Sequence, residues 1–500
     1  MAARPPAPAR GPLPTRRSLV LGGLAVAATG LTGCSAAIGP DRAAALPVPT
    51  PQTPSPGGRV VTARLTARPA TIDLGGPVVR TWAYGDTVPG PLLRATAGDV
   101  MRVAVENRLP AETTVHWHGI RLQNAADGVP GVTQAPIAAG SAYDYEFRVP
   151  DPGTYFFHPH VGVQLDRGLY APLVVDDPDE PGAYDDEWVV VLDDWVDGTG
   201  RTPDDVLAGL VADGGGDRGD HMGMGMGGMD HGMGGGSERG SAGDVDYPHY
   251  LVNGRVPAAP ETFRARPGDR VRIRIVNAAA DTLFTVALGG HRMTVTHTDG
   301  FPVEPLEVAA LPIAMGERYD VVVTLGDGVF PLAARPDSKS GEALALVRTG
   351  SGSAPSAGTT VPELDRAEVL TTRLVPTEAA RLPEARPEQT RPLTLNGSMS
   401  PFRWGINGAP YGENDSLRVD AGGRVRLEVM NMTTMSHPIH VHGHTFAVAR
   451  TGLRKDTVLV PPMGGLALDL DTDNPGRWMT HCHNIYHAEA GMMTILEYTP

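Results

Sequence analysis

The sequence predicts an all-β protein of three similar domains, on three observations. The chain has 500 residues with an ordinary apolar fraction of 41%, too many for one core and enough for three units plus tails at roughly 100 to 200 residues per domain. Its 62 glycines and 47 prolines divide it into short segments, and long apolar stripes of helical period are scarce, which favours strands between turns. The third observation is an internal repeat of one strand. A formal charge of −15 argues against nucleic acid, whose phosphates it would repel, and is compatible with neutral or cationic small substrates.

Residues 1–34 read as an export signal. Arg10 and the pair Arg16-Arg17 precede an apolar run from Leu19 to Gly33 that is too short to span a bilayer comfortably. Thr15-Arg16-Arg17-Ser18-Leu19-Val20 resembles a twin-arginine signal, and Leu31-Thr32-Gly33-Cys34 resembles a bacterial lipoprotein cleavage box with Cys34 as the lipidated residue. The expectation is a protein of the cell envelope, anchored by lipid on the outer face of the cytoplasmic membrane. Residues 35–57, rich in Ala, Pro, Thr and Ser, are the expected tether. Only two cysteines are present, so Cys482 is then the sole thiol of the mature body, and a lone Cys among histidines needs an explanation other than a disulfide.

Folded units are expected over 58–180, 181–350 and 391–500, with a linker over 351–390. The repeat marks them. Gly98-Asp99 opens a run to Asn107, Gly268-Asp269 a run to Asn277, and Gly422-Gly423 a run to Asn431. In each, apolar residues alternate with mainly polar ones, as in a half-buried strand. Nine residues beyond each Asn stand His116, Val286 and His440, and two further on His118, Leu288 and His442. The outer units carry His-x-His and the middle one has lost it. Later in the outer units Pro152-Gly153 leads at one spacing to His158-Pro159-His160, and Pro475-Gly476 leads to His481-Cys482-His483. An insertion is expected at about 198–245. Its stretch from His221 to Gly236 holds His231, Met222, Met224, Met226, Met229 and Met233 among glycines, too much Gly for a strand or helix.

In a strand, residues i and i+2 share a face, so each His-x-His offers two imidazoles side by side. Four pairs facing one another supply eight nitrogens, enough for three metal ions. Imidazole suits copper, zinc and iron alike, a single His-x-His is as readily a hydrogen-bonded core pair, and His-Cys-His can bind zinc. Cys482, between His481 and His483, points to the opposite face. A thiolate with two imidazoles and a weak thioether there is the arrangement of a blue-copper centre, with His437, His487 and Met492 as candidates for the remaining ligands.

Through His116-Trp117-His118-Gly119, His158-Pro159-His160, the run from His437 to His444, and His481-Cys482-His483 with His487 and Met492, the chain resembles the multicopper oxidase family. The resemblance covers nearly the whole mature chain. It implies three cupredoxin-like Greek-key domains and four coppers, with O2 reduced to water. By position it implies His437, Cys482, His487 and Met492 at a type 1 copper and His116 and His440 at a type 2 copper. The type 3 pair would fall to His118, His158, His160, His442, His481 and His483. His221, His231, His249, His291, His297 and His444 are left without a ligand role there.

Reducing O2 consumes protons, and Asp127 resembles by its offset from His116 the family's acid near the type 2 site; otherwise it is a turn residue before Gly128. Ala488 stands where many relatives carry Glu, and Glu489 follows it. The methionines of the insertion, with His221 and His231, are soft ligands for Cu(I). They favour a cuprous oxidase in copper tolerance over a laccase-like oxidase of phenols and aromatic amines, or over a copper store without turnover. A monomer is expected.

Overall fold

A computed structural model describes residues 45–180, 184–212 and 243–499. Cys34, His221, Met222, Met224, Met226, Met229, His231 and Met233 lie outside these residues. The described strands form six sheets, two from each third of the chain, and the all-β expectation holds.

The three thirds share one pairing scheme around the repeated strand. Val100–Asn107 runs parallel to Val60–Asp73 and antiparallel to Ala142–Arg148. Arg270–Asn277 has the same two relations with Asp186–Trp195 and Arg318–Thr324, and Arg424–Asn431 with Gln389–Met399 and Gly465–Asp471. A parallel neighbour requires the chain to leave the sheet and return, as in Greek-key sandwiches. The Asn that ends each repeat is fully buried, and its side chain ties off the loop beyond. Asn107 Nδ2 donates to Ala111 O and Ile137 O, Asn277 Nδ2 to Thr282 O and Ile313 O, and Asn431 Nδ2 to Met435 O and Val460 O. Buried backbone carbonyls need such partners, which is why Asn recurs at this point. In the first third Trp117 joins the two sheets, its ring 4.7 Å from Phe147 on one and 5.1 Å from Phe157 on the other.

The middle strand departs from the expected alternation. In Arg270–Asn277 every residue after Arg270 is buried, including Arg272 and Arg274. Both bond to Asp320 Oδ2, at 2.6 and 3.0 Å, while Asp320 Oδ1 accepts from Thr154 Oγ1 of the first third at 2.7 Å. The face that would meet water in an isolated domain is covered by its neighbour, and the arginines are tolerated there because they are paired. The stretch expected to open the insertion contains the helix Pro203–Ala212, which buries Pro203, Val206 and Leu210. Among the described residues no helix is long and apolar enough to cross a membrane.

Candidate metal centre

The histidine pairs lie on short strands whose register sets them opposite one another. His116 pairs with His158, and His440 with His481. The first and last thirds then interleave, with His116 stacked on His442 at 3.7 Å and His118 on His440 at 3.8 Å between ring centroids. Two trios result. His118, His158 and His483 have centroids 4.8 to 5.8 Å apart, and His160, His442 and His481 have centroids 5.0 to 5.1 Å apart. His116 and His440 remain as a pair at 5.7 Å.

In six of the eight rings hydrogen bonds decide which nitrogen is free. Nδ1 of His116, His158, His440 and His481 lies 2.8–2.9 Å from the carbonyls of Asp127, Pro159, Asp456 and Cys482 respectively. A carbonyl only accepts, so Nδ1 carries the proton and Nε2 keeps a lone pair. Nε2 of His116, His158 and His440 is buried without a partner, as are both nitrogens of His483 and Nδ1 of His118. His118 is reversed because its Nε2 is taken by Thr457 Oγ1 at 3.0 Å and Asp456 Oδ1 at 3.3 Å. His442 Nδ1 donates to Asp127 Oδ2 at 3.0 Å, which leaves its Nε2 only 3.0 Å from Nε2 of His481. Two lone pairs facing at that distance repel, and a cation between them removes the conflict. Burial, then mutual repulsion, holds His118, His158, His160, His442 and His483 well below the usual imidazole range, and His481 at about 3. These six rings are therefore neutral ligands at ordinary pH, and the donor set fits bound metal.

Two carboxylates support different pairs of rings, Asp127 those of His116 and His442 and Asp456 those of His118 and His440. Asp127 follows the turn Asn124–Ala126, and Gly128, at φ 82°, brings the backbone so close that a Cβ there would stand 1.9 Å from Val115 O. That approach sets Asp127 O on His116 and its carboxylate on His442. Asp456 bears on His118 and His440, and both of its oxygens accept from Arg318 of the middle third, at 2.7 and 2.6 Å. Burial alone would raise the Asp456 carboxyl, but Arg318 outweighs it and holds it well below the usual carboxylate range. With its oxygens so occupied, Asp456 orients the imidazoles. Gly316 of the middle third also borders the cluster: a Cβ there would lie 2.8 Å from the His483 ring and 3.0 Å from His118.

On the other face of its strand, Cys482 Sγ lies 3.7 Å from His437 Nδ1 and 3.8 Å from His487 Nδ1. His487 stands on the short helix Ile485–Glu489, whose cap residue Asn484 accepts from the amides of Tyr486 and His487. His487 Nε2 donates to Asp244 Oδ2 at 2.7 Å, which leaves Nδ1 as the acceptor facing the sulfur. His437 Nε2 meets Thr433 Oγ1 at 2.8 Å. Met492 is buried, and its carbonyl accepts from Cys482 N. Burial pushes the Cys482 thiol well above its usual range, so a thiolate here depends on a bound cation.

Of the residues left without a ligand role, His249, His291, His297 and His444 belong to none of these groups, and His444 bonds instead to Tyr498 Oη. Burial and the charge of Asp204 push the Glu489 carboxyl up to about 7. Sequence reasoning missed Asp456, Arg318, Asp244 and Thr433. The one available signal was the charged run Arg454-Lys455-Asp456 leading into the apolar strand Thr457–Val460.

Three multicopper oxidase family models match residues 66–180, 186–353 and 384–500. The chain is 50% identical over 446 residues to the multicopper oxidase MmcO of Mycobacterium tuberculosis, with 88% of each chain covered. It is 29% identical to a copper resistance protein A homolog of Pseudomonas syringae pv. tomato, covering 86% of this chain and 90% of the relative. A solved multicopper oxidase from Pseudomonas thermotolerans aligns with a TM-score of 0.67 and 28% identity over 88% of this chain and all of that one. With histidine clusters that fit metal and relatives matched nearly end to end, the chain belongs to the multicopper oxidase family, copper-dependent oxidoreductases of cupredoxin-like domains that use O2 and a reducing substrate.

Proposed function

We propose that the protein is an exported cuprous oxidase of copper tolerance, anchored by lipid at Cys34, which oxidises Cu(I) and reduces O2 to water with four coppers. His437, Cys482, His487 and Met492 would hold the type 1 copper, and His116 and His440 the type 2 copper. The trio His118, His158 and His483 would hold one type 3 copper, and the trio His160, His442 and His481 the other. Bound copper supplies one-electron acceptance at the thiolate and electron delivery to O2 at the histidine cluster. The chain's own part is covalent proximity, because His481 and His483 flank Cys482 and belong one to each trio.

The observation that carries the cuprous reading is Asp244. It follows the Met-rich stretch by eight residues, counted from Gly236, and its carboxylate sits on Nε2 of His487, an imidazole proposed for the type 1 copper. Its backbone is held there as well, since the amides of Asp244 and Val245 donate to Asp281. Thioethers select Cu(I) over harder ions, and tethering raises the local concentration of whatever they gather. The relative named as a copper resistance protein supports the same reading. Deleting residues 221–236 is expected to lower the efficiency of Cu(I) oxidation several-fold and leave phenol oxidation equal or improved, measured by O2 uptake with each substrate. Equal loss of both activities would assign the segment to the fold, and no change in either would favour a laccase-like enzyme.

Asp127 is proposed as the proton relay. Its carboxylate lies 3.0 Å from His442 Nδ1 and 3.2 Å from His116 Nδ1. Asp127→Asn keeps the size and one acceptor oxygen but removes the ionisable group. Stopped-flow reduction of the type 1 centre should stay fast while reoxidation by O2 slows about 10²-fold or more. Unchanged reoxidation would leave Asp127 a turn residue that orients His442.

A further inference from the structure

Met430, Met432 and Met463 expose 47%, 53% and 62% of their surface, although large apolar side chains are ordinarily packed. Their backbone brings them together. Met430 and Met432 are two residues apart at the end of the strand Arg424–Asn431, so they leave it on one face. Met430 pairs with Gly465, Asn431 N donates to Gly464 O at 2.8 Å, and Met463 N donates to Thr433 O at 3.1 Å. Met463 therefore lies beside Thr433, the residue after Met432, on the adjoining segment. Three rotatable bonds in each side chain let sulfurs carried on such neighbouring segments converge. The absent side chain of Gly465 leaves room, since a Cβ there would stand 3.5 Å from the Met430 sulfur. Met463 also holds φ 50°, a left-handed conformation that glycine adopts at less cost. A flexible apolar residue kept both strained and in water points to function. Its place is informative too, because Thr433 joins Met463 through its carbonyl and His437 Nε2 through its hydroxyl.

We propose that Met430, Met432 and Met463 form a thioether site that captures Cu(I) on the surface of the third domain, one residue from the Thr433–His437 contact. The inference rests on Cu(I) being the substrate. Three neutral sulfur donors suit Cu(I) and hold the harder Cu(II) poorly, so the site retains the reduced ion and lets the oxidised one go. Only binding is assigned to these three residues.

The test uses the copper-loaded full chain labelled with ¹³C at the methionine methyls and titrated with Ag(I), a redox-inert ion of the charge and softness of Cu(I). The three methyl signals should shift together and saturate with one ion. The triple variant Met430→Leu, Met432→Leu, Met463→Leu conserves volume and should lose that ion, while retention of its blue absorption reports an intact fold. Its KM for Cu(I) should rise several-fold with kcat little changed. Signals that stay in place while Ag(I) binds elsewhere, or an unaltered KM in the triple variant, would overturn the site and leave Cu(I) as substrate untouched. Failure of the unmodified protein to turn over Cu(I) would instead remove the substrate reading, and with it the role given to these methionines.

Discussion

Cys482→Ser is expected to abolish the intense blue absorption and bring turnover down to the uncatalysed background, while the histidine cluster still loads copper. The colour arises from charge transfer between thiolate sulfur and Cu(II), which a hydroxyl oxygen does not reproduce. The separation of effects follows from the strand. Cys482 faces His437 and His487 at 3.7 and 3.8 Å, whereas its neighbours His481 and His483 face the other way into the two trios. Serine keeps the backbone and the bulk of the side chain, so the imidazoles beyond it stay in register. Outer partners of metal ligands typically cost roughly 10–100-fold when removed, and loss of the thiolate itself should exceed that. Optical absorption, electron paramagnetic resonance and metal analysis of one sample suffice, and a surviving blue band would refute the type 1 assignment.

Arg318→Met should lower stability by about 3–5 kcal/mol, the cost of stranding a buried partner charge. Arg318 and Asp456 are both fully buried, joined by bonds of 2.7 and 2.6 Å across 138 residues of sequence. Methionine fills much of the space but leaves Asp456 without its cation. The carboxylate then either binds a proton or turns away from His118 and His440, and in both cases the orientation of those rings is loosened. The expected outcome is a lower thermal midpoint together with a changed resonance signal of the type 2 copper. Arg318→Lys should recover part of the stability but less of the signal, since a single ammonium does not reproduce the two-pronged grip. A variant that loses stability and keeps an unchanged type 2 signal would reduce the pair to a structural clamp.

Some of this was legible in the sequence, and the division has physical reasons. The proposed ligands could be read because metal chemistry on strands imposes short fixed spacings, such as His116 with His118 and Cys482 between His481 and His483. The repeated strand was legible through its terminal Asn, whose side chain is buried and bonded in all three thirds, whereas the pairing it shares was not. Asp456, Arg318 and Asp244 were not, because each acts across a contact between distant parts of the chain and leaves no periodic trace. The grouping of imidazoles into two trios and a pair follows from stacking between the first and last thirds, which spacing does not encode. Burial of both faces of Arg270–Asn277 was hidden for the same reason. The Arg272 and Arg274 positions look like an exposed polar face until Asp320 and Thr154 are brought against them.

Four imidazoles of the cluster are oriented by carbonyls of the chain itself, and two more by Asp127 and Asp456. These bonds need no metal. The apoprotein should therefore finish folding first and take up its copper as a completed receptacle, so that the ions can be withdrawn by a chelator and restored without passing through the unfolded state. Stability should then respond to metal only by mass action, rising with free copper as for any ligand of the native form. A protein of this kind separates the schedule of its synthesis from the supply of its cofactor. Molecules made during copper scarcity would wait as intact, empty vessels and become active when the ion arrives.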